Sequence, residues 1–312
     1  MKKSFSILCM LIVSVELSIG QNLYSEDLMN RAIKGNAKAQ YEIGMAYANG
    51  NGVTKDFNTG LKWIEKSANQ GYLDAQYTIG EIYCNSQNYV KGAQWWQRAS
   101  DNGDLDATYN LAVLYKMGYG VEKDMSKSLK LLTKAAEKGH VSAMYNLGNY
   151  YQRGDGVAQD WSKCFFWRKK AADKGDGAAC YNLAIDYTTG TPALNKDYKL
   201  SIEYINKAVE IGYPIALFVQ GEAFYEGSYY AEGKKDYSKA VTLLNKFLEK
   251  TDEMDMDNEW MGTTYLILSK CYRFGRGTKT NIPKANLYYN KAKAYGVTDE
   301  NVDKIIKELR GF

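Results

Sequence analysis

A unit of 32 to 37 residues recurs along this chain, and its period constrains the fold more than any single motif does. Alanine recurs at the same place in the first six copies, with steps of 36, 32, 36, 36 and 37 residues. These alanines are Ala39, Ala75, Ala107, Ala143, Ala179 and Ala216. A seventh copy begins near Thr264. A regular period in this range is typical of stacked repeat arrays, in which each copy contacts only its neighbours.

The copy that begins at Ala143 has the pattern of an amphipathic helix in its first part. Counted from that alanine as zero, Leu147, Gly148 and Tyr151 lie at offsets of four, five and eight. Residues at these offsets share one face of an α-helix. We therefore expect each copy to begin with a helix that buries this face.

A turn and a second helix follow in the same copy. Gly154-Asp155-Gly156-Val157 ends the first helix, because glycine reaches a positive φ without a clash of Cβ. Asp160 is the expected N-cap of a second helix that ends at Gly175, since its carboxylate accepts hydrogen bonds from free backbone N–H groups. The small residues Gly148, Ala171 and Ala172 indicate that the two helices cross closely. The same turn and cap recur at Gly50–Val53 with Asp56 and at Gly118–Val121 with Asp124.

These residues resemble the Sel-one-like repeat family, whose members are relatives of the tetratricopeptide repeats. The shared pattern is A-x-Y-x-L-G-x-x-Y-x-x-G-x-G-V-x-x-D, then a tryptophan, then K-A-A-x-x-G, and it matches best in the copies that begin at Ala107 and Ala143. Less regular copies extend the resemblance over residues 23–297. The resemblance implies an adaptor of protein complexes. We expect an all-α fold, a right-handed α/α superhelical solenoid of about seven helix-pair repeats.

The N-terminal segment has the composition of a secretory signal peptide. Lys2 and Lys3 precede an apolar run over residues 5–15, and small residues follow near Gly20. We expect residues 1–20 to be removed by cleavage near Gly20, which predicts a secreted or periplasmic protein. No second apolar run of membrane length occurs, so we expect no integral membrane segment after cleavage.

The rest of the chain is expected to form one repeat domain with a cap at each end. Residues 21–38 are expected to form an N-terminal capping half-repeat, and residues 39–297 the solenoid. A repeat array exposes apolar surface at each end unless something covers it. We therefore expect residues 298–312 to form a C-terminal capping helix. Its apolar residues at helical spacing are Val302, Ile305, Ile306 and Leu309.

Charge and cysteine usage narrow the classes of function. Without Lys2, Lys3 and Glu16, the 40 basic and 36 acidic residues become 38 and 35, a net charge of +3. This near balance argues against a dedicated nucleic-acid surface. The remaining cysteines are Cys84, Cys164, Cys180 and Cys271. The sequence leaves two alternatives: Cys164 and Cys180 form a disulfide, or each cysteine is a small buried hydrophobic residue.

Residues for catalysis are scarce in this sequence. The only histidine, His140, follows Lys138-Gly139 between two copies, and we expect it to be a solvent-exposed loop residue. No serine is followed by lysine three residues later, and no G-x-S-x-G motif occurs. We therefore expect a protein that is not an enzyme and that binds no cofactor or metal. The alternative is a cell-envelope hydrolase built on the same repeats.

Two loops resemble ligand-binding motifs only in part. The loop 227–235 has a spacing unlike that of a phosphate-binding loop and follows a helix where a strand is needed. The acidic loop 251–259 lacks the glycine and the final glutamate of a calcium-binding loop. We interpret both as connections, and the second as solvated.

Tyrosine recurs at offset two of five successive copies, and we call these residues the tyrosine column. They are Tyr41, Tyr77, Tyr109, Tyr145 and Tyr181. Offset two points away from the apolar face of the copy's own first helix. We expect the rings to pack against the first helix of an adjacent copy, and a ladder that binds a ligand is the alternative.

Offsets three, six and ten of the first helices lie nearest the pole opposite the apolar face, and we call them the first-helix face. In related solenoids the first helices line the concave surface, so these positions are expected to form the floor of a peptide groove. The residues predicted to bind a protein or peptide are Asn110, Val113, Met117, Asn146, Asn149, Arg153, Asn182, Ile185 and Thr189. An ordinary hydrated surface is the alternative.

Overall fold

The computed structural model describes residues 24–251 and 258–301, and its regular elements are helices. The chain divides into two compact units, with the boundary between Gln159 and Asp160. The helices of the first unit are α1 (Glu26–Ile33), α2 (Ala37–Asn49), α3 (Phe57–Asn69), α4 (Leu73–Asn85), α5 (Tyr89–Asp101), α6 (Leu105–Met117), α7 (Met125–Glu137) and α8 (Val141–Arg153). The helices of the second unit are α9 (Trp161–Asp173), α10 (Gly177–Thr189), α11 (Tyr198–Ile211), α12 (Pro214–Glu226), α13 (Tyr237–Thr251), α14 (Asn258–Phe274) and α15 (Ile282–Ala294). The predicted signal peptide and most of the predicted C-terminal capping helix lie outside the described residues.

Aspartates cap the second helices as the sequence predicts. Asp56 accepts a hydrogen bond from the backbone N–H of Thr59 at 3.1 Å, at the start of α3. Asp124 and Asp160 begin α7 and α9, with N···O distances of 2.8 and 2.9 Å. Each carboxylate satisfies a backbone N–H that has no partner within its helix. The capping prediction is therefore confirmed in both units.

The two helices of a copy approach until their backbones touch. In the first copy, a Cβ placed on Gly60 of α3 would lie 2.6 Å from the carbonyl oxygen of Gly44 in α2. In the third copy, Ser128 of α7 donates a hydrogen bond of 2.7 Å to the carbonyl oxygen of Ala112 in α6. Only small side chains fit at such a crossing. The expected close approach occurs in these two copies. Gly44 has the offset of Gly148, but Gly60 and Ser128 make the contact in place of the positions that correspond to Ala171 and Ala172.

The second glycine of the turn has a role beyond chain reversal. Gly120 has a φ of 67°, and a Cβ at this residue would overlap the backbone of Tyr89, the first residue of α5. The turn of the third copy therefore lies directly on the second helix of the copy before it. The corresponding glycines Gly156 and Gly277 approach Met125 and Tyr237, the first residues of α7 and α13.

The core of the first unit consists of layers, each of which joins one copy to the next. At its N-terminal end, α1 packs against α2 through Leu28, Ala32, Ala39 and Ile43. The next layer joins α3 to α4 through Ile64, Ala68, Ala75 and Ile79. All of these side chains are at most 5% exposed. Each copy thus buries apolar surface against the following one, as expected for a repeat array.

The second unit contains a buried ion pair and buried thiols. Arg168 of α9 donates a hydrogen bond of 2.7 Å to Asp186 of α10, and both side chains are almost completely buried. Cys164 and Cys180 are free and buried, and burial raises the pKa of each thiol to about 11. In this structure the two cysteines act as small core residues, the second of the two alternatives that their sequence left open.

We predict that Gly120→Ala lowers the free energy of unfolding by more than about 2 kcal/mol, because a positive φ alone costs roughly 1–2 kcal/mol and the added Cβ meets the backbone of Tyr89. Gly103→Ala is the matched control. Gly103 also has a positive φ, but the space around its Cβ is open. The loss of unfolding free energy in Gly103→Ala should therefore stay near the backbone cost of about 1 kcal/mol. Urea unfolding measures both variants, and equal losses would contradict the close approach of the turn.

Candidate protein-interaction surface

The tyrosine column joins each first helix of the first unit to the next. In three copies the tyrosine hydroxyl meets the residue at offset three of the following copy. Tyr41 Oη lies 3.2 Å from Thr78 Oγ1, Asn110 Nδ2 donates to Tyr77 Oη at 3.3 Å, and Asn146 Nδ2 donates to Tyr109 Oη at 3.1 Å. The prediction that the column packs between adjacent first helices is confirmed for these three copies.

The tyrosine rings also contact the residue that caps the next first helix. The ring pairs of this kind are Tyr41 with Tyr72 at 5.5 Å between centroids, Tyr109 with His140 at 4.9 Å and, in the second unit, Tyr181 with Tyr213 at 5.8 Å. Aromatic pairs at these separations add to the stabilisation that burial provides. The column therefore fixes the register of one copy against the next.

His140 is not a solvent-exposed loop residue, and that prediction is wrong. It is the N-cap of α8, where Nδ1 accepts a hydrogen bond from the backbone N–H of Ala143 at 3.0 Å. Its Nε2 therefore carries the proton of the neutral ring and donates it to Asp106 at 2.9 Å. The side chain is only 12% exposed because its ring also stacks on Tyr109. One ring nitrogen thus caps α8, and the other links this cap to Asp106 on α6.

The hydrogen bond from His140 holds the pKa of the Asp106 carboxyl below its ordinary value, although partial burial acts in the opposite direction. The carboxylate form of Asp106 is thereby favoured on the first helix of the third copy. Sequence reasoning missed this link because the two residues are 34 positions apart.

The residues predicted to bind a partner on the first unit lie on α6 and α8. The half-exposed ones are Asn110, Val113, Met117, Asn146 and Asn149, and Arg153 is exposed. Both N–H groups of the Asn146 amide are engaged, one by Tyr109 and one by the backbone oxygen of Ser142 at 2.9 Å. The carbonyl oxygen of Asn146 is then the part of this amide that is left for a partner.

The other predicted residues belong to α10 in the second unit. Asn182 and Ile185 are half-exposed, and Thr189 is exposed. The hydroxyl of Thr189 donates a hydrogen bond of 3.0 Å to the backbone oxygen of Ile185. These residues occupy the same offsets of their copy as those on α6 and α8.

Sequence reasoning missed two further residues of the first-helix face. Met45 of α2 and Glu81 of α4 occupy offset six in the first and second copies, and both are half-exposed. The sequence prediction considered only the third to fifth copies, since these are the most regular. The shared offset was the signal that would have found them.

The sequence model of the Sel1 repeat matches seven segments: 37–72, 73–104, 105–140, 141–176, 177–213, 216–252 and 265–294. The chain belongs to the Sel1 repeat family. The resemblance drawn from the sequence is therefore confirmed, and so is the all-α repeat fold. Sel1 repeat proteins are generally protein-interaction scaffolds and are typically non-enzymatic.

Solved structures share this fold. A protective antigen present in uropathogenic Escherichia coli strains has 27% identity and a TM-score of 0.71, with 93% of this chain and 59% of that chain covered. A Sel1 repeat protein from Oxalobacter formigenes has 27% identity and a TM-score of 0.73, with 90% and 79% covered. This Sel1 repeat chain thus spans less than two thirds of the antigen. A comparison with curated protein sequences finds no match.

No group of three or more His, Cys, Asp or Glu residues in ranges 24–251 and 258–301 is arranged to hold a metal ion. None of the helices in the same ranges is long and apolar enough to cross a membrane.

We predict that Tyr109→Ala lowers the free energy of unfolding by about 3 kcal/mol, because it removes a large ring from the contact between two copies. Tyr109→Phe keeps the ring on His140 and removes the hydroxyl that accepts a hydrogen bond from Asn146, so the free energy of unfolding should fall by about 1 kcal/mol. Urea unfolding of both variants gives the difference. Equal losses would mean that the ring contributes little packing.

Proposed function

We propose that this Sel1 repeat protein is an exported scaffold that binds a protein or peptide segment along its first-helix face. The observation that carries the proposal is the tyrosine column, which orders this face in the first unit without covering it. Offsets three, six and ten stay at least partly exposed on α6 and α8, although their helices are held in register by buried contacts. Such a preordered surface loses little conformational entropy when a partner binds.

The side chains of this face suit an extended segment. The carbonyl oxygen of Asn146 can accept a peptide N–H, which favours a backbone without demanding one particular side chain. Val113 and Met117 offer apolar contact one helical turn apart on α6, and methionine adapts to partners of different shape. Arg153 adds a charged donor at the exposed end of α8. Backbone recognition and side-chain selection are thus combined on two neighbouring helices.

The proposed export rests on the N-terminal sequence. Lys2, Lys3 and the apolar run that follows have the pattern of a signal peptide, with cleavage near Gly20. We predict that protein purified from its native cells begins at or close to Gln21. Intact-mass measurement decides this, and recovery of the uncleaved chain from the cytoplasm would contradict export.

Partner capture tests the proposed surface. We predict that the combined variant Val113→Ser, Met117→Ser and Arg153→Ala loses at least about tenfold in capture of the partner from cell-envelope extract, equivalent to about 1.4 kcal/mol. These side chains are half-exposed or exposed, so the helical circular dichroism signal should stay unchanged. Cross-linking and mass spectrometry of the purified protein with the extract would give the amount of partner recovered.

A matched variant on a second helix controls for general loss of surface. Lys130→Ala, Thr133→Ala and Glu137→Ala together alter the outer side of α7, and capture should be retained. Capture that survives the first variant and is lost in the second would overturn the first-helix face as the binding surface.

A further inference from the structure

One carboxylate on the first helices of the first three copies differs from the others. Among the acidic residues of α2, α4 and α6, three have a hydrogen-bonding or ionic partner. The pairs are Glu42 with Lys38 at 3.8 Å, Asp74 with Tyr72 at 2.9 Å, and Asp106 with His140 at 2.9 Å. Glu81 makes no hydrogen bond or ion pair with any residue in the described part of the chain.

Glu81 is half-buried beside two members of the tyrosine column. Its charge adds to the effect of burial on the hydroxyls of Tyr41 and Tyr77, and the pKa of Tyr77 is raised to about 12. Those hydroxyls are bonded to Thr78 and Asn110 instead of to Glu81. Burial also raises the pKa of Glu81 itself, since nothing compensates its charge. A half-buried carboxylate without a partner is unfavourable unless a ligand supplies one.

The charges of the surrounding helices favour a cationic ligand on this side of the first unit. The first helices α2, α4 and α6 carry two lysines and four acidic residues. The second helices α3, α5 and α7 carry seven lysines and arginines and three acidic residues. A positively charged segment is therefore attracted to the first helices α2, α4 and α6 and repelled from the second helices α3, α5 and α7.

The neighbours of Glu81 at offset six are apolar. Met45 precedes it on α2 and Val113 follows it on α6, and both are half-exposed. Packed helices are about 8–10 Å apart. A segment of polyproline II type advances about 3.1 Å per residue and returns to the same face at every third residue. Such a segment would therefore place side chains three positions apart on successive copies.

We propose that Glu81 determines the specificity of the first-helix face by receiving a lysine or arginine side chain from an extended partner segment. Apolar side chains three positions before and after this cation lie on Met45 and Val113. The long aliphatic stem of lysine or arginine matches the apolar surroundings, while its charged head pairs with the carboxylate. This inference rests on the proposed function and adds the chemistry of the partner.

Synthetic peptides test the inference without the natural partner. The probes are acetylated and amidated nonapeptides with leucine at positions two and eight, lysine, arginine, norleucine or glutamate at position five, and alanine, proline and glutamine elsewhere. With the wild-type protein, the lysine and arginine peptides should bind at least about tenfold more tightly than the norleucine peptide in fluorescence anisotropy. In Glu81→Gln this preference should fall below about twofold, and Glu81→Lys should prefer the glutamate peptide.

Two controls make the result specific to Glu81. Glu137→Gln removes an exposed carboxylate from the second helix α7 and should keep the wild-type preference. Glu81→Gln should also raise the urea midpoint at pH 7, because it replaces a half-buried, uncompensated charge with a neutral amide. Lost selectivity in a more stable protein separates a role in recognition from a role in folding.

The possible failures are distinguishable. Equal binding of all four peptides by the wild-type protein would overturn the role of Glu81 and leave the first-helix face as a peptide-binding surface. A preference for the basic peptides that persists in Glu81→Gln would overturn it in the same way. Absence of binding by every peptide would overturn both this inference and peptide binding by the first-helix face.

Discussion

The close crossing of the two helices in each copy is the contact on which the other contacts depend. Gly44 and Gly60 meet backbone to backbone, so that a side chain on either one would collide with the other helix. Where the third copy has Ala112 and Ser128 at this crossing, the serine hydroxyl bonds to the carbonyl oxygen of the facing helix. Small residues thus set the distance and the direction of the pair, and the remaining faces of each helix follow from that geometry.

Once the pair is formed, the side of the first helix that faces the next copy is determined. The tyrosine at offset two lies there, half-buried, and its hydroxyl meets the residue at offset three of the following copy. The second glycine of the turn also joins adjacent copies, since Gly120 of the third copy lies against the start of α5 in the second. Stacking in the first unit therefore depends on two kinds of contact between copies. One is made by the tyrosine rings of the first helices, and the other by the turn glycine against the backbone of a second helix.

The same packing explains why the first-helix face is suited to recognition. Its residues belong to helices that are fixed by buried neighbours, yet they are not needed for the core themselves. Three of the four carboxylates on α2, α4 and α6 have a local partner, as Asp106 has in His140. Glu81 is the exception among the carboxylates of α2, α4 and α6 in the described chain. One unpaired carboxylate among paired ones is a selective feature, because only a positively charged ligand supplies the partner that it lacks.

The sequence by itself determined the helix pairs, their caps and their repetition. Period, turn glycines and the aspartates Asp56, Asp124 and Asp160 act within a few residues of one another, so local rules are sufficient to predict them. The direction of the tyrosine column also followed from helical geometry, since offset two leaves a copy's own apolar face.

What the tertiary structure alone decided concerns residues that are far apart in the chain. Tyr41 meets Thr78 over 37 positions and His140 meets Asp106 over 34, and both contacts depend on the register between copies. The sequence placed His140 in an exposed loop because the residues that cover its ring, Tyr109 and Asp106, lie in the preceding copy. It could not show that Glu81 has no partner, because pairing depends on which side chains the stacked helices bring within reach. Local periodicity specifies each copy, whereas the packing of one copy on the next decides which polar groups are satisfied and which remain for a ligand.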